Sequence, residues 1–202
     1  MTDDYAFIEQ VGAAADAPVL FLFHGTGGNE HQFLDLGAEL MPTARRIAPR
    51  GDVSEGGALR YFRRLAEGVF DVEDLARATG KMARFVRERL SVNPVPVKIV
   101  GFGYSNGANI LASMQFAEPE LFDVAALLHP MIPFDPAPQP GLAGKRVLIT
   151  AGRQDPICPP AETQRLADWY AGQGAQTELY WHDGGHEIRR EELNAIKGFL
   201  GG

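Results

Sequence analysis

The sequence predicts an α/β domain with a mostly parallel central sheet and helices on both faces. Three observations lead there. Strand-like and helix-like segments alternate along most of the chain, as parallel strands joined by crossover helices require. Several strand candidates are unbroken apolar runs, residues 18–23 (PVLFLF) foremost, which suits strands buried on both faces. Residues able to do chemistry recur just after predicted strands, where open parallel sheets build their sites.

Taken in order, residues 5–10 form a short first strand and residues 18–23 the first buried one. A glycine-rich loop follows, His24-Gly25-Thr26-Gly27-Gly28-Asn29. Asn29 is placed to cap a helix over residues 30–40, with Phe33, Leu36 and Leu40 on one face. Residues 46–49 are another short strand. Residues 50–70 show no period and read as a long loop, a feature commonly functional in compact domains. Asp71 then caps a strong helix over 72–90, with helically spaced apolar positions. Residues 97–114 (VKIVGFGYSNGANILASM) read as strand, sharp turn and helix. Pro119 stops that helix. Strands at 124–128, 147–151 and 177–181 alternate with helices at 159–171 and 188–200; residues 129–141 form a proline-rich loop.

Length and composition bound the answer. The chain has 202 residues, enough for one substantial core, so a single domain over 1–202 is expected. Apolar residues make up 45% and charged residues 22%, as in ordinary globular proteins. A net charge of −7 argues against nucleic acid or an anionic membrane as partner. No run approaches the roughly 18 apolar residues of a membrane span, so stable membrane insertion is not expected. The acidic opening MTDDYAFIEQ lacks the basic and apolar regions of a secretory signal. With one cysteine, Cys158, no internal disulfide is possible. The expected location is cytoplasmic.

The 97–114 stretch carries the chemical argument. Gly103-Tyr104-Ser105-Asn106-Gly107 puts a serine at the apex of a strand-to-helix turn, a nucleophile elbow. Side chains two positions either side of the serine would strike the neighbouring backbone, and glycine removes them. An acid and a histidine follow in the order Ser105, Asp155, His186, each just after a predicted strand. A serine hydroxyl needs an adjacent base at neutral pH. His186 is the candidate base and Asp155 the group that orients it and offsets its charge. The backbone N–H groups of Thr26 and Asn106 are candidates for an oxyanion hole. His182 competes for the base role and Asp183 for the acid role. His24 and His129 read as structural histidines, the latter at the edge of the site. Cys158 reads as a small core residue, or else as a redox-sensitive thiol. No zinc-binding pattern is present, so neither metal nor cofactor is expected.

The segments LFLFHGTGGNE, GFGYSNGANI, AGRQDPICP and HDGGHE, in this order, resemble the carboxylesterase/phospholipase branch of the α/β-hydrolases, which includes the acyl-protein thioesterases. YFRRLAEGVFDVEDL and LLHPMIPF are most similar to a bacterial subgroup associated with hydroquinone and catechol stress. The resemblance spans nearly the whole chain. It implies the α/β-hydrolase fold without a large cap domain, the triad Ser105, Asp155 and His186, and the oxyanion-hole pair Thr26 and Asn106. Thioesterases of the branch carry a bulkier apolar residue where Thr26 stands. The implied activity is serine carboxylesterase action on small to medium esters. Thioesterase, lysophospholipase or deacetylase action, and a binding or sensor module for a phenolic ligand, are the alternatives. Phe62, Phe70, Phe102, Met131, Ile132 and Ile157 are candidates for an acyl or aryl pocket, or for ordinary core. Arg60, Arg63 and Arg64 are candidates to meet a carboxylate or phosphate, or form a solvated charge cluster. The expected partner is a small-molecule ester, and the expected state a monomer or homodimer.

Overall fold

A computed structural model describes residues 4–91 and 94–201. Its strands are β1 (Phe7–Gln10), β2 (Val19–Phe23), β3 (Arg45–Pro49), β4 (Val53–Glu55), β5 (Ala58–Arg60), β6 (Arg64–Ala66), β7 (Val69–Phe70), β8 (Ile99–Tyr104), β9 (Val124–Leu128), β10 (Arg146–Gly152) and β11 (Gln176–His182). The helices are α1 (Leu34–Leu40), α2 (Val72–Ser91), α3 (Asn106–Ala117), α4 (Pro160–Gly172) and α5 (Arg190–Gly201).

Seven strands form one sheet in the order β1-β3-β2-β8-β9-β10-β11. β1 runs antiparallel to β3 at one edge, and the other pairings are parallel. The unbroken apolar run of β2 follows from its central place. Val19, Phe21 and Phe23 enter the core under α2, α3 and α4; Leu20 and Leu22 enter the core under α1 and α5. A strand covered on both faces has no polar side to show. The result is the expected α/β-hydrolase architecture, and among the described residues no large cap covers the carboxyl ends of the strands. No helix of the described residues is long and apolar enough to cross a membrane.

Two local expectations are corrected. The helix expected over 30–40 is only α1, beginning at Leu34. Asn29 caps a turn instead: its Oδ1 accepts the N–H of His31 at 2.9 Å. The Gln32 side chain reaches back to the Gly25 N–H at 2.9 Å, which holds residues 25–32 as a loop. Residues 50–70 are not a structureless loop. They fold into two antiparallel hairpins, β4–β5 and β6–β7. Gly56 and Gly57 turn the first with φ of 58° and 92°, and Gly68 turns the second with φ of 70°. Strands of two or three residues are too short for a period-2 pattern to show. Asp71 does cap α2, its Oδ1 accepting the N–H of Asp74 at 3.1 Å.

Candidate active site

The elbow is built by close backbone approach. A Cβ on Gly103 would lie 2.4 Å from the carbonyl oxygen of Gly107, and one on Gly107 would lie 2.2 Å from that of Phe23. Glycine at both positions lets α3 start hard against the ends of β8 and β2. Ser105 sits between them with φ 53° and ψ −117°, a strained conformation for a residue with a side chain. Its hydroxyl is thereby aimed above the sheet.

Three side chains from three strand ends meet there. Ser105 Oγ lies 2.8 Å from His186 Nε2, and His186 Nδ1 lies 2.7 Å from Asp155 Oδ2. The other carboxylate oxygen of Asp155 accepts the N–H groups of Ile157 and Cys158, at 2.8 and 3.0 Å. Tyr104 donates its hydroxyl to the His186 carbonyl at 2.6 Å, tying the β11–α5 loop to the elbow. The N–H groups of Thr26 and of Asn106, the first residue of α3, have no acceptor among the described residues. They are therefore free to bind an anion beside the serine.

The glycine-rich loop is held from below. His24 Nδ1 lies 2.7 Å from the Gly25 carbonyl, and its Nε2 accepts the Gly51 N–H at 2.8 Å. This pattern fits a neutral ring, and burial lowers its pKa further. Tyr61 accepts the His24 N–H at 3.0 Å and donates to the Pro49 carbonyl at 2.9 Å. The Tyr61 N–H in turn donates to Asn106 Oδ1 at 2.8 Å, joining the 50–70 segment to the elbow.

Behind Asp155 lies a buried network that sequence reasoning missed. His129, with φ 50° just past β9, places Nδ1 at 3.0 Å from Asp155 Oδ2 and Nε2 at 3.2 Å from Glu192 Oε1. Glu192 also accepts from the Thr150 hydroxyl and, at 3.0 Å, from the Arg189 N–H. His182 Nδ1 accepts the Gly184 N–H at 3.0 Å, so its Nε2 carries the proton; that nitrogen lies 3.3 Å from His129 Nε2 and 3.7 Å from Glu192 Oε2. Burial pushes the His129 pKa down, but the two carboxylates outweigh it and raise it to about 9. Burial likewise pushes Asp155 up, and the hydrogen bonds from His129, His186 and the two N–H groups hold it well below the usual carboxylate range. Glu192, against burial, is lowered by His129 and Thr150. The two carboxylates thus favour the protonated form of His129. His129, His182 and Glu192 bring three possible metal-ligand atoms within 4.8 Å of one another, but each is engaged in the network just described. The available signal is Glu192 itself, a carboxylate on the apolar face of α5 with Ile196, Phe199 and Leu200.

The remaining sequence candidates divide. A cleft of about 300 Å³ opens over Ser105 and His186, and Phe70, Met131 and Ile157 line it. Phe62 is buried beneath it against Phe70, Ile132 lies in the same core, and Phe102 points to the opposite sheet face against Phe33. Arg60 and Arg64 line the cleft, whereas Arg63 turns to Asp71 and Asp74. Asp183 is exposed near Arg153. Cys158 is buried and bonds the His129 carbonyl at 3.2 Å; burial and the Asp155 charge push its thiol pKa up, which fits a packed thiol rather than a redox sensor.

No family model matches the sequence. "Putative hydrolase MhqD" of Bacillus subtilis (strain 168) is 42% identical over 180 residues, covering 89% of this chain and 90% of that protein. The crystal structure of Atu2452 from Agrobacterium tumefaciens str. C58, a protein of unknown function, is 50% identical with a TM-score of 0.92 and covers 100% of this chain and 98% of its own. The Bacillus cereus carboxylesterase structure is 39% identical with a TM-score of 0.91, over 98% of this chain and 93% of its own. Fold, strand-end site and relatives agree: the chain belongs to the carboxylesterase branch of the α/β-hydrolases, and it is a hydrolase acting on esters.

Proposed function

We propose that the protein cleaves small to medium carboxylic esters through an acyl-enzyme on Ser105, with His186 as general base and acid and Asp155 as its orienting partner. One observation carries this reading: the chain Ser105 Oγ–His186 Nε2, 2.8 Å, and His186 Nδ1–Asp155 Oδ2, 2.7 Å, beside two free backbone N–H groups. Ser105 Oγ attacks the ester carbonyl as its proton moves to His186 Nε2. The carbonyl oxygen becomes an oxyanion and accepts from the N–H groups of Thr26 and Asn106. Collapse expels the alcohol, which takes the proton from His186. Water then repeats the sequence on the acyl-serine, releasing the acid and restoring the hydroxyl. Asp155 holds the imidazole with Nε2 toward the serine and offsets the charge it gains. A cleft of about 300 Å³, lined in part by Phe70, Met131 and Ile157, suits a modest acyl or aryl group.

The test is a chain-length series of p-nitrophenyl esters, run beside a thioester and a lysophospholipid, with Ser105→Ala as control. Serine-dependent turnover, fastest for short esters, is expected, together with labelling of Ser105 by a fluorophosphonate. Full activity in Ser105→Ala, or a clear preference for long acyl chains, overturns the reading.

A further inference from the structure

We propose that the cleft selects esters that carry a carboxylate, and that Arg60 is the group that binds it. The inference rests on the proposed function above and names the substrate class for that same site. Arg60 ends β5, so the first hairpin delivers it to the cleft wall, where it is only 4% exposed. Two bonds fix its guanidinium: Nη1 donates to Thr26 Oγ1 at 3.0 Å and Nε donates to the Phe62 carbonyl at 3.2 Å. Its Nη2 group has no acceptor among the described residues.

The nearby glutamates do not fill that need. Arg64 takes Glu55 with Nε and Nη2, at 2.9 to 3.1 Å, and Glu67 with Nη1. Glu55 comes within 3.5 Å of Arg60 only at Nε, whose hydrogen already serves Phe62. Arg64 is therefore matched by two carboxylates, while Arg60, largely buried as a residue, keeps a partly unpaired cationic edge that is not sealed from solvent. Asn106, which also lines the cleft, carries a buried Nδ2 without a partner beneath that wall. A planar guanidinium already held in place, with its Nη2 edge unmatched, favours a planar acceptor-only group such as a carboxylate. Because Thr26 is both the arginine's partner and a proposed oxyanion donor, the carboxylate must lie in the same substrate as the reacting ester. Phe70, Met131 and Ile157 leave apolar wall for the spacer between them.

The experiment compares kcat/KM for carboxylate esters and their neutral carboxamides. 3-Acetoxybenzoate against 3-acetoxybenzamide puts the charge in the alcohol half; monophenyl adipate against its carboxamide puts it in the acyl half. The carboxylate of at least one pair is expected to react at least about tenfold faster than its carboxamide, after correction for hydroxide hydrolysis. Arg60→Met should lower that carboxylate-to-carboxamide ratio by about 10- to 100-fold, and Arg60→Lys by less. The ratio cancels any common loss through Thr26. A second readout needs no turnover and no variant: 3-hydroxybenzoate should protect Ser105 from fluorophosphonate labelling better than 3-hydroxybenzamide. A carboxylate-to-carboxamide ratio near one for both pairs in the wild type, or a ratio unchanged in Arg60→Met, overturns the inference, and so does equal protection. Failure of all esters with no labelling of Ser105 would instead overturn the underlying serine-hydrolase reading.

Discussion

Glu192→Gln tests the claim that a histidine cation is buried behind the candidate triad. The substitution keeps size and one acceptor, but removes the carboxylate that faces His129 Nε2 at 3.2 Å. Removing one partner of a buried ion pair costs about 3–5 kcal/mol, and the retained acceptor places this case near the lower end. The linkage argument gives an upper bound for the pH-dependent part, shared by Asp155 and Glu192. His129 is raised from 6.5 to about 9, which corresponds to stabilisation on the order of 3 kcal/mol. Because the folded-state pKa lies above the unfolded one, this stability is complete below about pH 6.5. It is lost as pH rises through about 9. Thermal unfolding followed by circular dichroism should therefore place the variant about 6–12 °C below wild type at pH 6. The gap should narrow steadily toward pH 9. Ionisation of Cys158 in the unfolded chain also enters at high pH, but it is common to both proteins. A gap of the same size at pH 6 and pH 9, or a loss below about 0.5 kcal/mol, would refute the cation between two carboxylates.

Three further outcomes are expected. Gly152→Ala should cut kcat about 10²-fold while leaving far-UV circular dichroism unchanged, because its Cβ would lie 2.1 Å from the Gly185 carbonyl oxygen and push the Asp155 and His186 loops apart; normal kcat would show that those loops need not touch. Asp155→Asn should lower kcat by about 10³–10⁴-fold and also lower the melting temperature, since His129 loses a charged partner; a loss of activity without a loss of stability would separate Asp155 from the network. Cys158 should resist iodoacetamide in the native protein and react after denaturation, read by mass spectrometry, since it is buried with a raised thiol pKa.

The elbow is legible in the sequence because everything that makes it is local. Gly103, Ser105 and Gly107 lie within one turn, and the strand and helix either side announce themselves by apolar pattern. Asp155 and His186 are legible at one remove, as polar residues that follow predicted strands in the chain order serine, acid, histidine. The hairpins of residues 50–70 are hidden for a different reason. Strands as short as Val69–Phe70 show no alternation, and charged residues such as Arg60 and Arg64 disguise them as solvent-exposed loop. Arg60 is nonetheless buried, because the β4–β5 hairpin folds it onto Thr26. Pocket candidates fail to separate in the sequence because Phe62, Phe70 and Phe102 share composition. Only the tertiary fold decides that Phe102 packs against Phe33 on one face of the sheet and that the β6–β7 hairpin carries Phe70 to the cleft.

The buried network also bears on what Asp155 does. Its two oxygens accept four hydrogen bonds, from His129, His186, Ile157 and Cys158. Each stabilises the charged carboxylate, so the group is a poor proton acceptor. Under the proposed mechanism, a proton taken from Ser105 therefore stays on the imidazole, where it is available to the leaving alcohol. Two of the four donors are backbone groups and a third is a histidine anchored on Glu192, so the carboxylate does not depend on His186 for its position. Only the His186 bond must strengthen as that ring becomes cationic. In the proposed reaction the site is thus prepared before substrate arrives, and the reorganisation left is confined to the serine, one imidazole and the substrate carbonyl.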